Sequence, residues 1–335
     1  MQKVITFGEI LMRLSPIGNK RIQQVEQLDF YIGGTEFNVA VSLANYGIDV
    51  RHISNISDDF LGKAILNRIK AFGVDTSFIN RVKEPLGLYF LETGSSIRPS
   101  RIIYNRLSGA FSVIKPEMVN WENSLRGIGY FYWTGITPGI SKGALETLKQ
   151  GLKLASKKNM QIITDPTYRK NLWNYGLRGE EVLRKLITYT QVFIGGVNEI
   201  NKLLNTNYDN QKNGFIEACL QLTKEYPNIE KIFDKVRVDG NASQQIMYAR
   251  YFKESFYYET SLIEINTVVD RIGTGDAFSA GIIYGLMQYD DDIQTLHFAH
   301  AACALKHTIP GDLNLASINE VLEIKKGNYS GKIKR

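Results

Sequence analysis

The sequence predicts an α/β protein, a three-layer α/β/α sandwich with a mostly parallel central sheet and a small, separate β-sheet serving as a lid. Three observations carry this. Strand-like apolar runs alternate with segments of helical apolar spacing through most of the 335 residues, the rhythm of a parallel sheet covered on both faces. A β-hairpin pattern between Leu86 and Ile103 interrupts that rhythm, which places it in another layer. Late in the chain a glycine-rich turn opens a helix with almost no polar face, as expected of a helix packed into a core.

The elements follow in order. Val4 to Phe7 reads as a strand ending at Gly8-Glu9, and Arg21 to Tyr31 as short strand material outside the main sheet. Glu36 to Tyr46 has helical spacing with Gly47 closing it, VRHISNIS (50–57) is a strand, and Phe60 to Phe72 is a helix ending at Gly73. LGLYFLET and RPSRIIYN flank Gly94-Ser95-Ser96 as a hairpin. Further strands are GYFYWTG (129–135), MQIITD (160–165), QVFIG (191–195) and KIFDKVRV (231–238), separated by helices near 141–157, 180–188 and 215–224. Strand-like stretches at 244–252 and 255–258 precede helices that begin at Ala277 and Ile293. The core is expected over residues 1–12, 35–84 and 110–335, and the lid over 13–34 and 85–109.

Composition narrows the class. Apolar residues make up 44% and charged residues 22% of the chain, enough to bury a substantial core. The formal net charge is +6, but the basic residues are dispersed rather than clustered with aromatics, so nucleic acid is not the expected partner. The densest basic group runs from Lys325-Lys326 to Lys332, Lys334 and Arg335, read as a solvated tail. No apolar stretch is long enough for a membrane span. Two widely spaced cysteines and no signal-like opening make the cytoplasm the expected compartment. His297 and His300 share a helical face without a third ligand, so a transition-metal site is not expected.

Chemistry concentrates in Asp270 to Phe278, DRIGTGDAF. Around Gly273-Thr274-Gly275 consecutive N–H groups can turn toward one point at a helix start, which makes an anion hole. Asp276 puts a carboxylate beside it, where it would repel the anion the loop attracts. A general base for an alcohol attacking a phosphoryl group resolves that conflict, since base and electrophile must then be neighbours. The turn lacks a third glycine for a dinucleotide site and a Gly-Lys-Ser/Thr for a P-loop.

Ligands of such sheets bind beyond the carboxyl ends of the strands, and four further groups lie there. Gly33-Gly34 precedes a helix carrying Asn38, whose amide can donate to and accept from hydroxyls. The hairpin carries Tyr89, Tyr104 and Arg106, the last a planar fork suited to a carboxylate. DPTYRKNLW follows a strand with Asp165 and Arg169, and Gly311-Asp312 adds a carboxylate near the end of the core.

Together these positions resemble the ribokinase-like (PfkB) sugar kinases over nearly the whole chain, and within them the 2-keto-3-deoxygluconate kinases. GGTEFNVAVSLANYG is similar to the family's first signature. DRIGTGDAFSAGIIYGL is similar to its second, D-T-x-G-A-G-D, with Arg271 for Thr and Thr274 for Ala. ITFGEILMRLSP, ETGSSIRPSRIIYNRLSGAFS, WTGITP, DPTYRKNLW and KHTIPGDLNLAS resemble the ketodeoxygluconate enzymes in particular.

The resemblance implies transfer of phosphate from ATP, with Mg²⁺, to the 6-hydroxyl of 2-keto-3-deoxygluconate. Asp276 would be the base and the amides of Gly273, Thr274 and Gly275 the anion hole. Gly34, Asn38, Tyr89, Tyr104, Arg106, Arg169 and Asp312 would bind the sugar acid, with Arg106 and Arg169 facing its anionic groups. Nucleotide contacts would come from Thr167, Asn198, Arg237, Gly240, Gly273 and Gly275, and Glu199 would serve the metal. Three positions depart from the family pattern. Asn198 lacks the Glu expected three residues later, with Glu199 as its substitute; Thr167 stands where relatives have Asn; and residues 235–240 are atypical for a nucleotide-phosphate loop. The resemblance also implies a homodimer or larger homo-oligomer formed through paired lids. Two alternatives stay open: a PfkB kinase of a neutral sugar such as fructose, and a sugar-acid or nucleotide binder of weakened activity.

Overall fold

The computed structural model describes residues 3–329, apart from the side chain of Asp239. In chain order the first strands are β1 Lys3–Phe7, β2 Leu11–Ser15, β3 Asp29–Gly33, β4 Val50–Ser57, β5 Ile79–Val82, β6 Gly87–Glu92 and β7 Arg101–Asn105. They are followed by β8 Ile128–Thr134, β9 Gln161–Asp165, β10 Val192–Ile194, β11 Lys231–Asn241, β12 Gln244–Lys253, β13 Phe256–Glu259 and β14 Ile263–Ile265. The helices are α1 Thr35–Asn45, α2 Phe60–Ala71, α3 Trp121–Ser124, α4 Thr137–Ile140, α5 Lys142–Lys157, α6 Gly179–Ile187, α7 Val197–Leu204, α8 Lys212–Glu225, α9 Thr274–Gln288, α10 Asp292–Lys306 and α11 Ile318–Lys325.

Alternate residues of the central strands enter two separate apolar cores, as a strand's period of two requires when both faces are covered. Val4, Tyr130, Tyr132 and Ile163 join the core beneath α1, α9 and α10. Their neighbours Ile5, Phe131, Trp133 and Ile162 join the one beneath α5 to α8. The ten-stranded sheet runs β13-β12-β11-β10-β9-β8-β1-β4-β5, with β14 also pairing β12. From β11 to β5 every pairing is parallel, while β12 pairs antiparallel with β11, β13 and β14. The sheet is therefore mixed, with an antiparallel margin made by the long β11–β12 hairpin. The three-layer sandwich and the ribokinase-like architecture expected from sequence are present.

The second sheet has the order β3-β2-β6-β7. One face carries Leu11, Arg13, Tyr89 and Leu91, all buried against the core. Across the other face Phe30, Leu14, Phe90 and Ile103 stand in register, and Phe30 and Ile103 are 50% and 67% exposed. The small sheet takes residues 11–15, 29–33, 87–92 and 101–105.

Some elements differ from expectation. β2 starts at Leu11, so the opening segment already belongs to the small sheet by that point. Within 21–31 only Asp29 onward is strand, after a 3₁₀ turn at Ile22–Gln24, because polar Gln23 and Gln24 break the alternation. The second hairpin strand starts at Arg101 rather than Arg98, since Pro99 lacks the N–H a ladder needs. β5, α7, β14 and α11 are additional elements, each eight residues or fewer. The tail residues Lys332, Lys334 and Arg335 lie outside the described residues.

Candidate active site

The second signature sits at the head of α9. Its N-cap, Gly273, has φ 78°, a left-handed conformation that glycine adopts freely, and a Cβ there would run into the Asp312 carbonyl. The first-turn amides of a helix lack intrahelical acceptors, so those from Thr274 onward face an incoming anion along the positive end of α9. Asp270 shapes this turn. Its Oδ1 accepts from the Ile272 N–H at 2.9 Å, and its Oδ2 accepts from Gly311 N at 3.0 Å and Arg13 Nη2 at 2.6 Å.

Asp276 occupies the first turn of α9, and Asn38 Nδ2 donates to its Oδ2 at 2.7 Å. Asn38 comes from α1, whose N-cap Gly34 has φ 136°. A Cβ on Gly34 would collide with the Glu9 carbonyl, so the glycine pair lets α1 start directly against the β1–β2 connection. Asn38 Oδ1 is buried without a partner, an acceptor open to a ligand hydroxyl. Burial, with repulsion from Asp165 and Glu36, pushes the Asp276 carboxyl up to about 7, against the pull of Asn38 and Lys235. That value suits a base operating near neutral pH.

Glu36, also in α1, is buried where β1, β8 and α4 converge. Its Oε1 accepts from Thr134 Oγ1 and Thr137 Oγ1, each at 2.7 Å, and from Thr134 N at 3.2 Å. Burial raises its carboxyl to about 6 despite these bonds.

The lid residues reach the same sheet edge. Tyr89 donates to Asp312 Oδ2, and the Tyr104 ring lies 5.6 Å from that of Tyr89, with Tyr104 itself largely exposed. Arg106 is buried and paired with Glu9: Nε donates to Oε2 at 2.7 Å, and Nη2 contacts the same oxygen. Asp312 also faces Arg13 Nη1 at 3.1 Å, and burial pushes its carboxyl up to about 6, opposed by Arg13 and Tyr89. Both groups expected to bind substrate are thus engaged within the protein. Arg169 leaves the crest of β9 exposed, with no contact to the others.

On the nucleotide side Arg237 Nη2 approaches Thr274 Oγ1 at 3.4 Å. Gly240, with φ 145°, bends the end of β11 toward β12. Arg271, the departure from the signature Thr, donates to the Asn241 and Gln244 carbonyls and so ties the anion loop to that hairpin turn. Thr167 donates to Asp165 from both its N–H, at 3.0 Å, and its hydroxyl. Asn198 is exposed in the first turn of α7. Glu199 accepts from Gly196 N at 3.1 Å, and its carboxyl is raised by burial and by repulsion from Asp165 and Asp234. The structure therefore gathers Gly34, Asn38, Arg237 and Asp276 with the Gly273–Gly275 loop. Thr167, Asn198 and Glu199 stand farther along the edge, at the ends of β9 and β10.

Five side chains escaped the sequence reading. Arg13 bridges Asp270 and Asp312 at the core, with its guanidinium 4.3 Å from the Tyr31 ring centroid. Glu9 orients Arg106, and Glu36 anchors α1. Lys235 places its Nζ 3.3 Å from where a Gly275 Cβ would stand. Lys306 lies buried behind Gly273. Position just after β1 was the available signal for Glu9, and a lone lysine closing an apolar helix the signal for Lys306. The lid tip is also tied down: Ser96 N donates to Ser243 Oγ at 2.8 Å, and Ala242 N donates to Ser96 O at 2.9 Å. A cavity of about 340 Å³ lies at the amino ends of β1 and β4, where Lys3 pairs with Asp49 and Arg51 with Asp75.

The fold thus brings together a glycine-capped helix N-terminus, a carboxylate in its first turn and a separate small sheet beside both. Residues 1–317 match the model of the pfkB family of carbohydrate kinases, and the chain belongs to that family. It is 28% identical over 333 residues to the 2-dehydro-3-deoxygalactonokinase of Haloferax volcanii, covering 98% of each chain. It resembles the crystal structure of 2-dehydro-3-deoxygluconokinase from Thermotoga maritima with a TM-score of 0.92 and 35% identity, covering 98% of this chain and 100% of that one. It shares the fold of the ATP-bound fructokinase of Xylella fastidiosa at 20% identity and a TM-score of 0.79, covering 98% and 99% of the two chains.

Proposed function

We propose that this sugar kinase transfers the γ-phosphoryl group of ATP to the 6-hydroxyl of 2-keto-3-deoxygluconate. The single observation that carries the reading is the Asp276 carboxyl, raised to about 7 and held by Asn38 at the mouth of the anion-binding loop. The substrate hydroxyl gives its proton to Asp276 as its oxygen bonds to the γ-phosphorus, the bond from that phosphorus to the β-phosphate oxygen breaks, and ADP leaves. The Gly273–Gly275 amides meet the charge that develops on the transferring group. Arg237 and Lys235 flank the path of the nucleotide phosphates.

Among the described residues no cluster of three or more His, Cys, Asp or Glu side chains could hold a metal by itself. Mg²⁺ in kinases is held by one or two carboxylates together with phosphates and water. The crowding of Glu199 by Asp165 and Asp234 leaves negative charge that suits such an ion. Glu199 would hold it, and the ion would neutralise phosphate charge when bound.

The preference for an acid over a neutral sugar is supported by Arg106, fixed by Glu9 through Nε and Nη2 so that Nη1 is left for a carboxylate, and by exposed Arg169. The names of the Haloferax volcanii and Thermotoga maritima relatives, both kinases of deoxy sugar acids, support it too. The apolar outer face of the lid supports a homodimer joined there. Buried, free Cys219 and Cys303 suit a reducing cytoplasm, and among the described residues no helix is long and apolar enough to cross a membrane. An ATP-coupled assay over 2-keto-3-deoxygluconate, its C4 epimer and fructose tests the reading; fructose as the far better substrate would reject it.

A further inference from the structure

Helix α10 buries mostly apolar side chains, with Thr295 and His300 as polar exceptions, and closes on Lys306, whose side chain is completely buried (0% exposed). The Nζ donates to Ile309 O at 2.8 Å. The Cε lies 3.3 Å from where a Cβ on Gly273 would stand, so the stem passes directly behind the left-handed N-cap of the anion loop. Asp270 faces it from that loop, Asp312 from the segment after α10, Arg13 from the lid and Asp276 from α9, with Cys303 and His307 beside it. The Asp270 and Asp312 oxygens face Arg13, Ile272, Gly311 and Tyr89, and the Lys306 hydrogen bond goes to Ile309 O rather than to either carboxylate. A buried ammonium with one carbonyl partner is costly, and the feature it adjoins is the anion hole.

We propose that Lys306 is a positioning residue for phosphoryl transfer, a fixed internal cation behind Gly273–Gly275. It holds the loop amides toward the transferring group and adds positive potential to the hole without touching substrate. The inference rests on the kinase reading for its catalytic consequence, but its anion-binding consequence stands apart from turnover. Burial draws the amine down to about 8, while Asp270 and Asp312 hold it up, so the charge is present at neutral pH and is lost above it.

The test uses the full chain and two probes. Lys306→Gln keeps a donor for Ile309 O and drops the charge. The expected result is a sugar KM within about threefold of the parent, with kcat and the affinity for inorganic sulfate each falling ~tenfold or more. Sulfate affinity and kcat within about twofold of the parent would overturn the proposal, as would losses that extend equally to the sugar KM. Should Lys306→Gln fail to fold, sulfate binding to the Asp276→Asn protein, which lacks the neighbouring carboxyl raised to about 7, decides. Its affinity should fall as pH rises from 7 to 9, and a flat profile overturns the proposal. Failure of the kinase reading would show separately, as no sugar turnover by the unaltered protein.

Discussion

Asn38 donates its side-chain amide to the Asp276 carboxylate at 2.7 Å, joining two segments 238 residues apart in sequence. The bond gives the first signature a direct chemical task, since it stabilises the ionised form of the proposed base and draws its pKa down against burial. Removing it must move the base upward. Asn38→Ala should therefore shift the acidic limb of kcat/KM from near pH 7 to higher pH, because activity is lost as the carboxyl takes up its proton. A pH–rate profile measures this, and an unmoved limb would separate Asn38 from Asp276 function.

Arg106 and Glu9 form a buried pair, so two effects of Arg106→Met must be kept apart. Removing one partner leaves the other buried without compensation, at a cost of about 3–5 kcal/mol. Burial already raises the Glu9 carboxyl. Adding Glu9→Gln should recover much of that stability in denaturant unfolding. KM for the sugar acid should stay raised in both proteins, while KM for a neutral sugar changes little. An equal rise for both sugars would remove the carboxylate role of Arg106.

Arg13 links the small sheet to the core: it lies on β2 and pairs with Asp270, which shapes the turn before α9, and with Asp312, which accepts from Tyr89. Arg13→Met should loosen the small sheet and admit water to the γ-phosphate. The ratio of sugar-independent ATP hydrolysis to sugar phosphorylation should rise several-fold. An unchanged ratio in folded protein would make Arg13 purely structural.

The layers and the glycine-capped head of α9 were readable in the sequence because each rests on local chemistry: alternation in the strands, spacing in α1 and α5, and a glycine turn before an apolar helix. Short elements were not. α7 spans eight residues and depends on burying Val197, Ile200 and Leu203, since a two-turn helix draws little stability from propensity alone. The electrostatic wiring was equally hidden. Arg13 finds Asp270 257 positions away, and no local pattern announces that Arg106 and Asp312 are already paired within the protein, with Glu9 and with Arg13 and Tyr89.

The outer lid face predicts assembly. Phe30, Leu14, Phe90 and Ile103 form an apolar row across all four strands, and a second copy is the expected cover for it. Ile103→Glu should lower the mass seen in sedimentation to that of a monomer while leaving the fold intact. A mass that does not change on substitution would place any subunit contact elsewhere.

Asp276→Asn tests the central claim most directly. Because the carboxyl is raised from 3.8 to about 7, its protonated form favours the folded state, a contribution that is full below pH 4 and is lost as pH rises through 7. The substitution should thus raise Tm by a few degrees, roughly, at pH 8 and change it little at pH 4, showing that the fold is intact. In that protein sugar-acid and ATP binding by calorimetry should stay close to the parent while kcat for phosphorylation falls by ~100-fold or more. A stable Asp276→Asn protein whose kcat is undiminished would contradict the account.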